Sequence, residues 1–178
     1  MTLQETLRLD NLINNILISS QLEGHSYRIS KEELNFSDLV RDVANQFQNR
    51  YHDRKVVRDV QEEIDLNGDP LLLKLLVSIL LENANKYSPK DKPIALELKK
   101  DSDRIRLNVK DEGCGIRDEE KKNVFKKFYR IGNEQTRTAK GTGLGLYLCK
   151  KIAEDHNGSI AVENNQPQGS NFTVSFYT

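Results

Sequence analysis

Three glycines alternate with other residues in Gly141-Thr142-Gly143-Leu144-Gly145-Leu146, immediately before an apolar helical pattern. Glycine lets a backbone approach a ligand closely, and the first amides of a helix attract anions, so this run is suited to phosphate. The preceding residues 117–140 have a net charge of +4, with eight Lys and Arg against four Asp and Glu, which also favours an anion. The run lacks the lysine of a Walker loop and the preceding strand of a dinucleotide fingerprint. A flexible hinge with close helix packing is the alternative interpretation.

Polar residues also end an otherwise apolar helix stripe, where Asn83, Lys86 and Tyr87 follow Ile79 at helical spacing. A buried carboxamide and a buried ammonium group need partners, and Mg²⁺ with phosphate would supply them. Alternatively the helix emerges from the core at this point, with Lys86 stabilising its negative C-terminal end.

A carboxylate and two glycines follow a predicted strand in Asp111-Glu112-Gly113-Cys114-Gly115-Ile116. Both glycines can adopt positive φ, so the backbone can pass close to a ligand there. An ordinary Asp-x-Gly turn explains the same residues, because a single motif of this kind occurs often by chance.

Composition restricts the classes of partner. The chain has 178 residues, 27 Lys and Arg and 27 Asp and Glu, so its formal net charge is zero, and neither nucleic acid nor an anionic membrane is expected as the main partner. The longest apolar run, from Leu71 to Leu81, contains Lys74 and is about half as long as the roughly 20 residues that cross a bilayer. No signal peptide is visible, and two cysteines without metal-ligand spacing suggest a reducing compartment, so we expect a cytoplasmic location.

The elements that position these motifs follow from periodicity and from capping residues. Three main helices and one short helix, interleaved with antiparallel strands, predict an α+β fold, a two-layer α/β sandwich with a mixed, largely antiparallel sheet, preceded by one amphipathic helix. The expected helices are Leu3 to Leu22, Ser37 or Asp38 to Phe47, Leu71 to Tyr87 after an Asp69-Pro70 start, Asp118 to Tyr129, and Gly143 to His156; the expected strands are Val56 to Val60, Ile94 to Leu98, Ile105 to Val109, Ser159 to Val162, and Asn171 to Phe176.

Four motifs, taken together, resemble the N, G1, F and G2 boxes of sensor histidine kinases in both order and spacing. They are Leu81-Glu82-Asn83-Ala84-Asn85-Lys86-Tyr87-Ser88-Pro89, Asp111-x-Gly113-x-Gly115-Ile116, Val124-Phe125-x-x-Phe128-Tyr129-Arg130 and Gly141 to Leu146. The segment from Leu12 to Gly24 looks like the second helix of the family's dimerisation and phosphotransfer hairpin. The resemblance therefore divides the chain into a partial hairpin helix, residues 1–25, and an ATP-binding catalytic domain, residues 26–178.

The resemblance implies a Bergerat-type fold that holds ATP and Mg²⁺ between the Asn83 helix and a lid, Arg130 to Lys140. Asn83 matches the magnesium ligand, Lys86 the lysine near the phosphates, Tyr87 the aromatic residue beside the nucleotide, and Asp111 the acceptor for the adenine amine. Ile79 stands where many members have a further asparagine, so only Asn83 is assigned to the metal. The remaining assignments are Phe125 and Phe128 to the lid hinge, Arg130 and, by charge and loop position, Arg137 to phosphate, and Gly113, Gly115, Ile116, Gly141, Thr142, Gly143, Leu144, Gly145 and Leu146 to ATP binding.

The function implied is that of the catalytic domain of a two-component sensor kinase, which donates the γ-phosphate of ATP to a histidine. The family's His-Glu-Leu-Arg-Thr-Pro-like sequence does not occur in this chain, and His25, His52 and His156 stand in other contexts. We therefore expect a piece of a larger kinase, with the acceptor histidine on the other hairpin helix. The implied partners are that hairpin, a second copy in the complete dimer, and a response regulator, with no nucleic acid and no direct membrane contact.

The implied location is the cytoplasmic part of a membrane-anchored bacterial sensor. Two alternatives remain. One is a Bergerat-type ATPase clamp, which would need a carboxylate base four residues before Asn83, where Ile79 stands. The other is a catalytically silent nucleotide-binding module.

Overall fold

The computed structural model describes residues 1–132 and 141–178, which form four helices, seven strands and two 3-10 turns in these ranges. The helices are α1 (Leu3–Glu23), α2 (Phe36–Arg50), α3 (Pro70–Tyr87) and α4 (Gly145–Asp155). The strands are β1 (Glu32–Asn35), β2 (Val56–Val60), β3 (Asp65–Gly68), β4 (Ile94–Lys100), β5 (Arg104–Lys110), β6 (Gly158–Asn164) and β7 (Ser170–Tyr177). Within these ranges no helix has the length and apolar character required to span a membrane.

The main sheet has five strands in the order β2-β4-β5-β7-β6. Strands β2 and β4 pair in parallel, whereas the other three pairs are antiparallel. Alternate residues of β4, β5 and β7 are buried, which gives the sheet one apolar face under α2, α3 and α4. The prediction of an α+β two-layer sandwich with a mixed, largely antiparallel sheet is confirmed. Strands β1 and β3 form a separate antiparallel pair that sequence patterning did not predict.

Helix α3 begins as its capping residues predict. The Asp69 side chain accepts hydrogen bonds from the amides of Leu71 and Leu72 at 3.1 and 3.2 Å, and Pro70 occupies the first turn. Proline fits there because its missing N–H would have no partner inside the helix. The helix is apolar over most of its length, and Leu72, Leu76 and its other inward side chains are fully buried in the core.

The predicted start of α2 was wrong. The cap is Asn35, whose side-chain oxygen accepts a hydrogen bond from the amide of Asp38 at 2.9 Å. Ser37, one of the two predicted caps, instead lies buried in the first turn, where its hydroxyl donates to the carbonyl of Gln61 and accepts from the amide of Ile64. A tertiary contact therefore decided between neighbouring residues that are all good caps.

Two predicted helices differ from the structure. The segment predicted as a helix from Asp118 to Tyr129 forms two 3-10 turns, Asp118–Glu120 and Asn123–Phe125, and Phe128 then has a φ of +62°. Helix α4 begins at Gly145 because Gly143, at φ +74°, has a left-handed backbone that cannot belong to a right-handed helix.

Helix α1 starts with a capping box between Thr2 and Glu5. Its large apolar side chains are mostly exposed, including Ile13 at 46% and Leu17 at 53%, and only Ser19 and Leu22 are buried. The predicted amphipathic helix is present, and it contacts the rest of the described chain mainly through its C-terminal end. The assignment of residues 1–25 to a phosphotransfer hairpin stays a prediction.

A buried hydrogen-bond network connects the segment after α1 to α3 and α4. Asp69 accepts from the hydroxyl of Tyr27 at 3.2 Å and from the amide of Ser30 at 3.0 Å. The Asp69 amide donates to Nε2 of His156 at 2.9 Å, and Nδ1 of the same ring lies 2.7 Å from the carbonyl of Ile152. His156 is thus a helix-end residue as predicted, but it is 4% exposed and holds two elements together.

Candidate nucleotide site

One stripe of α3 faces the glycine run and α4. The thiol of Cys149 in α4 lies 3.7 Å from the carbonyl of Leu76, and a Cβ placed on Gly145 would lie 3.0 Å from Cγ2 of Ile79. Two turns further on, Nζ of Lys86 lies 2.4 Å from the position of a Cβ on Gly141. This stripe of α3 therefore packs against α4 at Leu76 and Ile79 and lies beside the glycine run at Lys86.

Asn83 lies on this stripe between Ile79 and Lys86 and is half-buried. Within residues 1–132 and 141–178, no group forms a hydrogen bond with its carboxamide. Ile79, in contrast, is buried against Gly145 and offers no oxygen to a metal. Among the described residues, the carboxamide of Asn83 therefore has no hydrogen-bond partner, and it lies on α3 between the residues that contact Gly145 and Gly141.

The glycine run is a tight backbone turn. Gly143, at φ +74°, lies so close to the backbone of Phe128 and Tyr129 that a Cβ would come within 2.6 Å of both, and its carbonyl accepts a hydrogen bond from the amide of Phe128 at 3.0 Å. Helix α4 follows without a capping side chain among the described residues. Its first amides are available to an anion, because the first turn of a helix has no internal acceptors for them.

The Asp111 turn is seated against the end of α3. The carboxylate, 4% exposed, accepts from the amide of Gly113 at 2.8 Å, and a Cβ on Gly113 would lie 2.4 Å from the carbonyl oxygen of Tyr87. Burial raises the pKa of the Asp111 carboxyl, although hydrogen bonds from backbone amides act in the opposite direction. Gly115 has a φ of +74°, as expected of a position that favours glycine. Only glycine at position 113 allows this approach of the two backbones.

Lys86 is part of a group of positive charges. Its side chain reaches into solvent, but its ammonium lies against Gly141 and 5.4 Å from the ring centroid of Tyr87. Partial desolvation lowers the pKa of Lys86, and the guanidinium groups of Arg130 and Arg8 lower it further. An anion at this position would relieve the mutual repulsion of these cations.

The two predicted hinge aromatics occupy different environments. Phe125 is buried and packs edge-on against Phe172, with ring centroids 6.2 Å apart. Phe128 is 63% exposed and has a left-handed backbone. Arg130 and Ile116 are half-buried, whereas Arg137 and the part of the predicted lid from residue 133 to residue 140 lie outside the described residues.

Sequence reasoning missed a contact between the end of α1 and two residues that precede and follow the glycine run, Lys127 and Tyr147. The carboxylate of Glu23 accepts from Nζ of Lys127 at 2.7 Å and from the hydroxyl of Tyr147 at 2.5 Å. These bonds lower the pKa of Glu23 and raise the pKa of Tyr147 to about 12. No local pattern could have revealed them, because 104 and 124 residues separate the partners.

The residues brought together fit a nucleotide with Mg²⁺. Asn83 offers the neutral oxygen that this cation accepts, Lys86 and Arg130 offer positive charge, and the first amides of α4 suit phosphate. Asp111 offers a buried acceptor in the turn whose Gly113 packs against the carbonyl of Tyr87. The described residues contain no cluster of three or more His, Cys, Asp or Glu side chains that could hold a metal by themselves. Phosphate oxygens would therefore have to supply most of the ligands.

Comparison with known proteins points the same way. Residues 68–177 match the family described as Histidine kinase-, DNA gyrase B-, and HSP90-like ATPase. The chain is 33% identical over 178 residues to the sensor protein kinase WalK of Staphylococcus saprophyticus, an alignment that covers 98% of this chain and 29% of WalK. The chain thus spans less than a third of the length of this relative.

Two solved structures have the same fold. The mycobacterial sensor histidine kinase MprB superposes with a TM-score of 0.73 at 25% identity, over 83% of this chain and 97% of that chain. Full-length ShkA in complex with AMPPNP superposes with a TM-score of 0.80 at 21% identity, over 96% of this chain and 36% of ShkA.

Proposed function

This chain belongs to the histidine kinase-, DNA gyrase B- and HSP90-like ATPase family as a sensor histidine kinase catalytic domain, and on that premise we propose that it binds ATP with Mg²⁺ and donates the γ-phosphate to a histidine of a phosphotransfer hairpin. The observation that carries the proposal is the convergence of three motifs: Tyr87 of α3 lies against Gly113, and Lys86 lies against Gly141. These motifs are 26 and 55 residues apart in the sequence and meet at one end of α3.

Each residue has a defined task in this proposal. Asp111 accepts a hydrogen bond from the exocyclic amine of adenine, Asn83 provides an oxygen ligand for the metal, and Lys86 with Arg130 balances phosphate charge. Gly141, Gly143 and the first amides of α4 hold the phosphates, and Mg²⁺ when bound neutralises charge on the transferred group. Catalysis is then positioning and electrostatic stabilisation, without a nucleophile in this chain.

The position of the three histidines supports an acceptor outside this chain. His25 and His52 are exposed in loops, and His156 is buried with both ring nitrogens engaged. The proposed partners are the hairpin, a second copy in the complete kinase and a response regulator. The proposed location is the cytoplasmic side of a membrane-anchored sensor.

Label transfer from γ-labelled ATP to a separately supplied phosphotransfer hairpin tests the proposal. We expect magnesium-dependent labelling of the hairpin histidine, and we expect Asn83→Ala to weaken both ATP binding and labelling. Asn45→Ala, an exposed asparagine of α2 that bonds Arg58, is the matched control and should behave as wild type. Nucleotide binding without any transfer would indicate the silent module, whereas binding that does not depend on Mg²⁺ or Asn83 would contradict the assigned site.

A further inference from the structure

Arg54 is a buried cation that lies just after α2 and is 5% exposed. All five of its N–H groups have an acceptor. Nε donates to Oδ1 of Asn85 at 2.8 Å, one terminal nitrogen to the carbonyls of Asn85 and Ser88 at 2.9 and 3.0 Å, and the other to the carbonyls of Pro89 and Lys92. The acceptors are five neutral oxygens, four of them backbone carbonyls.

These carbonyls belong to the end of α3 and to the loop that follows it. The last carbonyls of a helix have no internal donors and form the negative end of its dipole, so a fully hydrogen-bonded guanidinium is a well-matched partner. Glu82, one turn before, is held from the same side by Arg50 at 2.7 Å and by the hydroxyl of Tyr51 at 2.7 Å. The end of α2 and the segment after it therefore hold one face of α3.

The nucleotide site lies on the other face. Asn83 and Asn85 are two residues apart and hence about 200° apart around the helix axis. Lys86 and Tyr87 lie between Asn85 and Ser88, whose carbonyls share one terminal nitrogen of Arg54, and Tyr87 is the residue that touches the Asp111 turn. A shift of this helix end would displace the ammonium of Lys86 from Gly141 and the carbonyl of Tyr87 from Gly113.

We propose that Arg54 is a positioning residue of the nucleotide site, which fixes the end of α3 from behind so that Asn83, Lys86 and Tyr87 face the glycine run and the Asp111 turn. The inference rests on the proposed function. Arg54 itself does not contact the nucleotide, and its effect on binding passes through the backbone of residues 85–88.

Arg54→Ala tests this by removing the guanidinium and leaving a cavity of its shape. We expect at least about a ten-fold loss of Mg²⁺-dependent ATP affinity in a protein that still unfolds cooperatively, together with faster hydrogen exchange of the amides from Ala84 to Ser88. Millimolar methylguanidinium should refill the cavity and restore most of the affinity. Restoration by a small cation is a response that a general loss of stability would not show.

Arg58→Ala is the matched control. Arg58 lies in β2, and its guanidinium binds Asn45 and the carbonyl of Ala44 on α2, away from the end of α3. This variant removes the same charge and should keep wild-type ATP affinity, with no response to methylguanidinium. Arg54→Lys is the second test variant, because it keeps the positive charge but has three donors in place of five. It should fold and bind ATP more weakly than wild type.

The outcomes separate the two claims. Wild-type ATP affinity in Arg54→Lys or Arg54→Ala, or a loss that methylguanidinium does not reverse, would overturn the positioning role. If the unaltered protein binds no nucleotide, the proposed function fails. In that case two measurements without nucleotide still decide the positioning claim: the NMR chemical shift of the Asn83 side-chain amide and the hydrogen exchange of the backbone amides of residues 84–88. Both must change in Arg54→Lys and stay unchanged in Arg58→Ala.

Discussion

Asp111→Asn is the perturbation that most directly probes base recognition. In the structure, Oδ1 of Asp111 accepts a hydrogen bond from the amide of Gly113 at 2.8 Å, and the backbone of Ser170 also interacts with the carboxylate. An asparagine retains the first bond through its carbonyl oxygen, so its NH₂ group replaces Oδ2 in the pocket. The substitution thus exchanges an acceptor for a donor without disturbing the turn.

The magnitude follows from the burial of this group. Asp111 is 4% exposed, so solvent screens its interaction with a ligand only weakly. A hydrogen bond to a charged group contributes about 1.5–3 kcal/mol, and each 1.4 kcal/mol is about a ten-fold change in affinity. The amine of adenine would face a donor in the variant, so ATP affinity should fall roughly ten-fold to more than one hundred-fold. GTP affinity should rise, because the oxygen of guanine accepts from the new NH₂ group.

Competitive displacement of a fluorescent ATP analogue by ATP and by GTP measures both effects. The assay is best run at about pH 8, because burial raises the pKa of the Asp111 carboxyl and the acceptor must be ionised. Asp118→Asn is the matched control, since this carboxylate is exposed and bonds only Lys121 among the described residues.

Two results would refute the reasoning. If wild type shows no preference for ATP over GTP, Asp111 is a turn residue and the base lies elsewhere. If Asp111→Asn keeps the full preference, the carboxylate does not face the base.

Three further predictions follow from the structure. Gly113→Ala should cost about 1–3 kcal/mol of stability and weaken ATP binding, because its Cβ would lie 2.4 Å from a backbone oxygen. Gly141→Ala should cost less, because its Cβ would meet only the ammonium at the end of the flexible Lys86 side chain, and thermal unfolding of both variants measures the difference in stability. Burial lowers the pKa of His156, so the unfolded chain binds the extra proton, and stability should fall as the pH decreases below about 6.5; His156→Gln should flatten this slope in urea titrations, and an unchanged slope would exclude His156 as its source. Incubation with γ-labelled ATP should leave the isolated chain unlabelled, and acid-labile label on any of its histidines would contradict an acceptor outside this chain.

Local sequence was sufficient for features that depend on a few neighbours. The Asp69-Pro70 start of α3, the alternation in β4 and β5, and the glycines at positive φ follow from capping, pleat periodicity and the absence of a Cβ. The order and spacing of the four motifs were sufficient for the family and the fold class. Their individual roles in ATP binding stay predictions.

Local sequence was insufficient where several residues could do the same local task. Asn35, Ser37 and Asp38 are all good helix caps, and the contact of Ser37 with Gln61 and Ile64 selected the first of them. The helical pattern after Asp118 was real but short, and the structure has two separate 3-10 turns there, followed by the left-handed Phe128, whose amide bonds the carbonyl of Gly143.

What the sequence by itself determined is which chemical groups the chain has and how the segments with unambiguous capping and periodicity fold, such as α3, β4 and β5. What only the tertiary structure decided is which of them meet: Tyr87 with Gly113, Lys86 with Gly141, Glu23 with Lys127 and Tyr147, and Arg54 with the end of α3. The physical reason is that a contact between distant residues depends on the packing of the whole core. The entropic cost of closing the loop between two residues grows only slowly with the length of that loop, so it does not select which distant residues meet. Spacing along the chain therefore contains little information about such contacts.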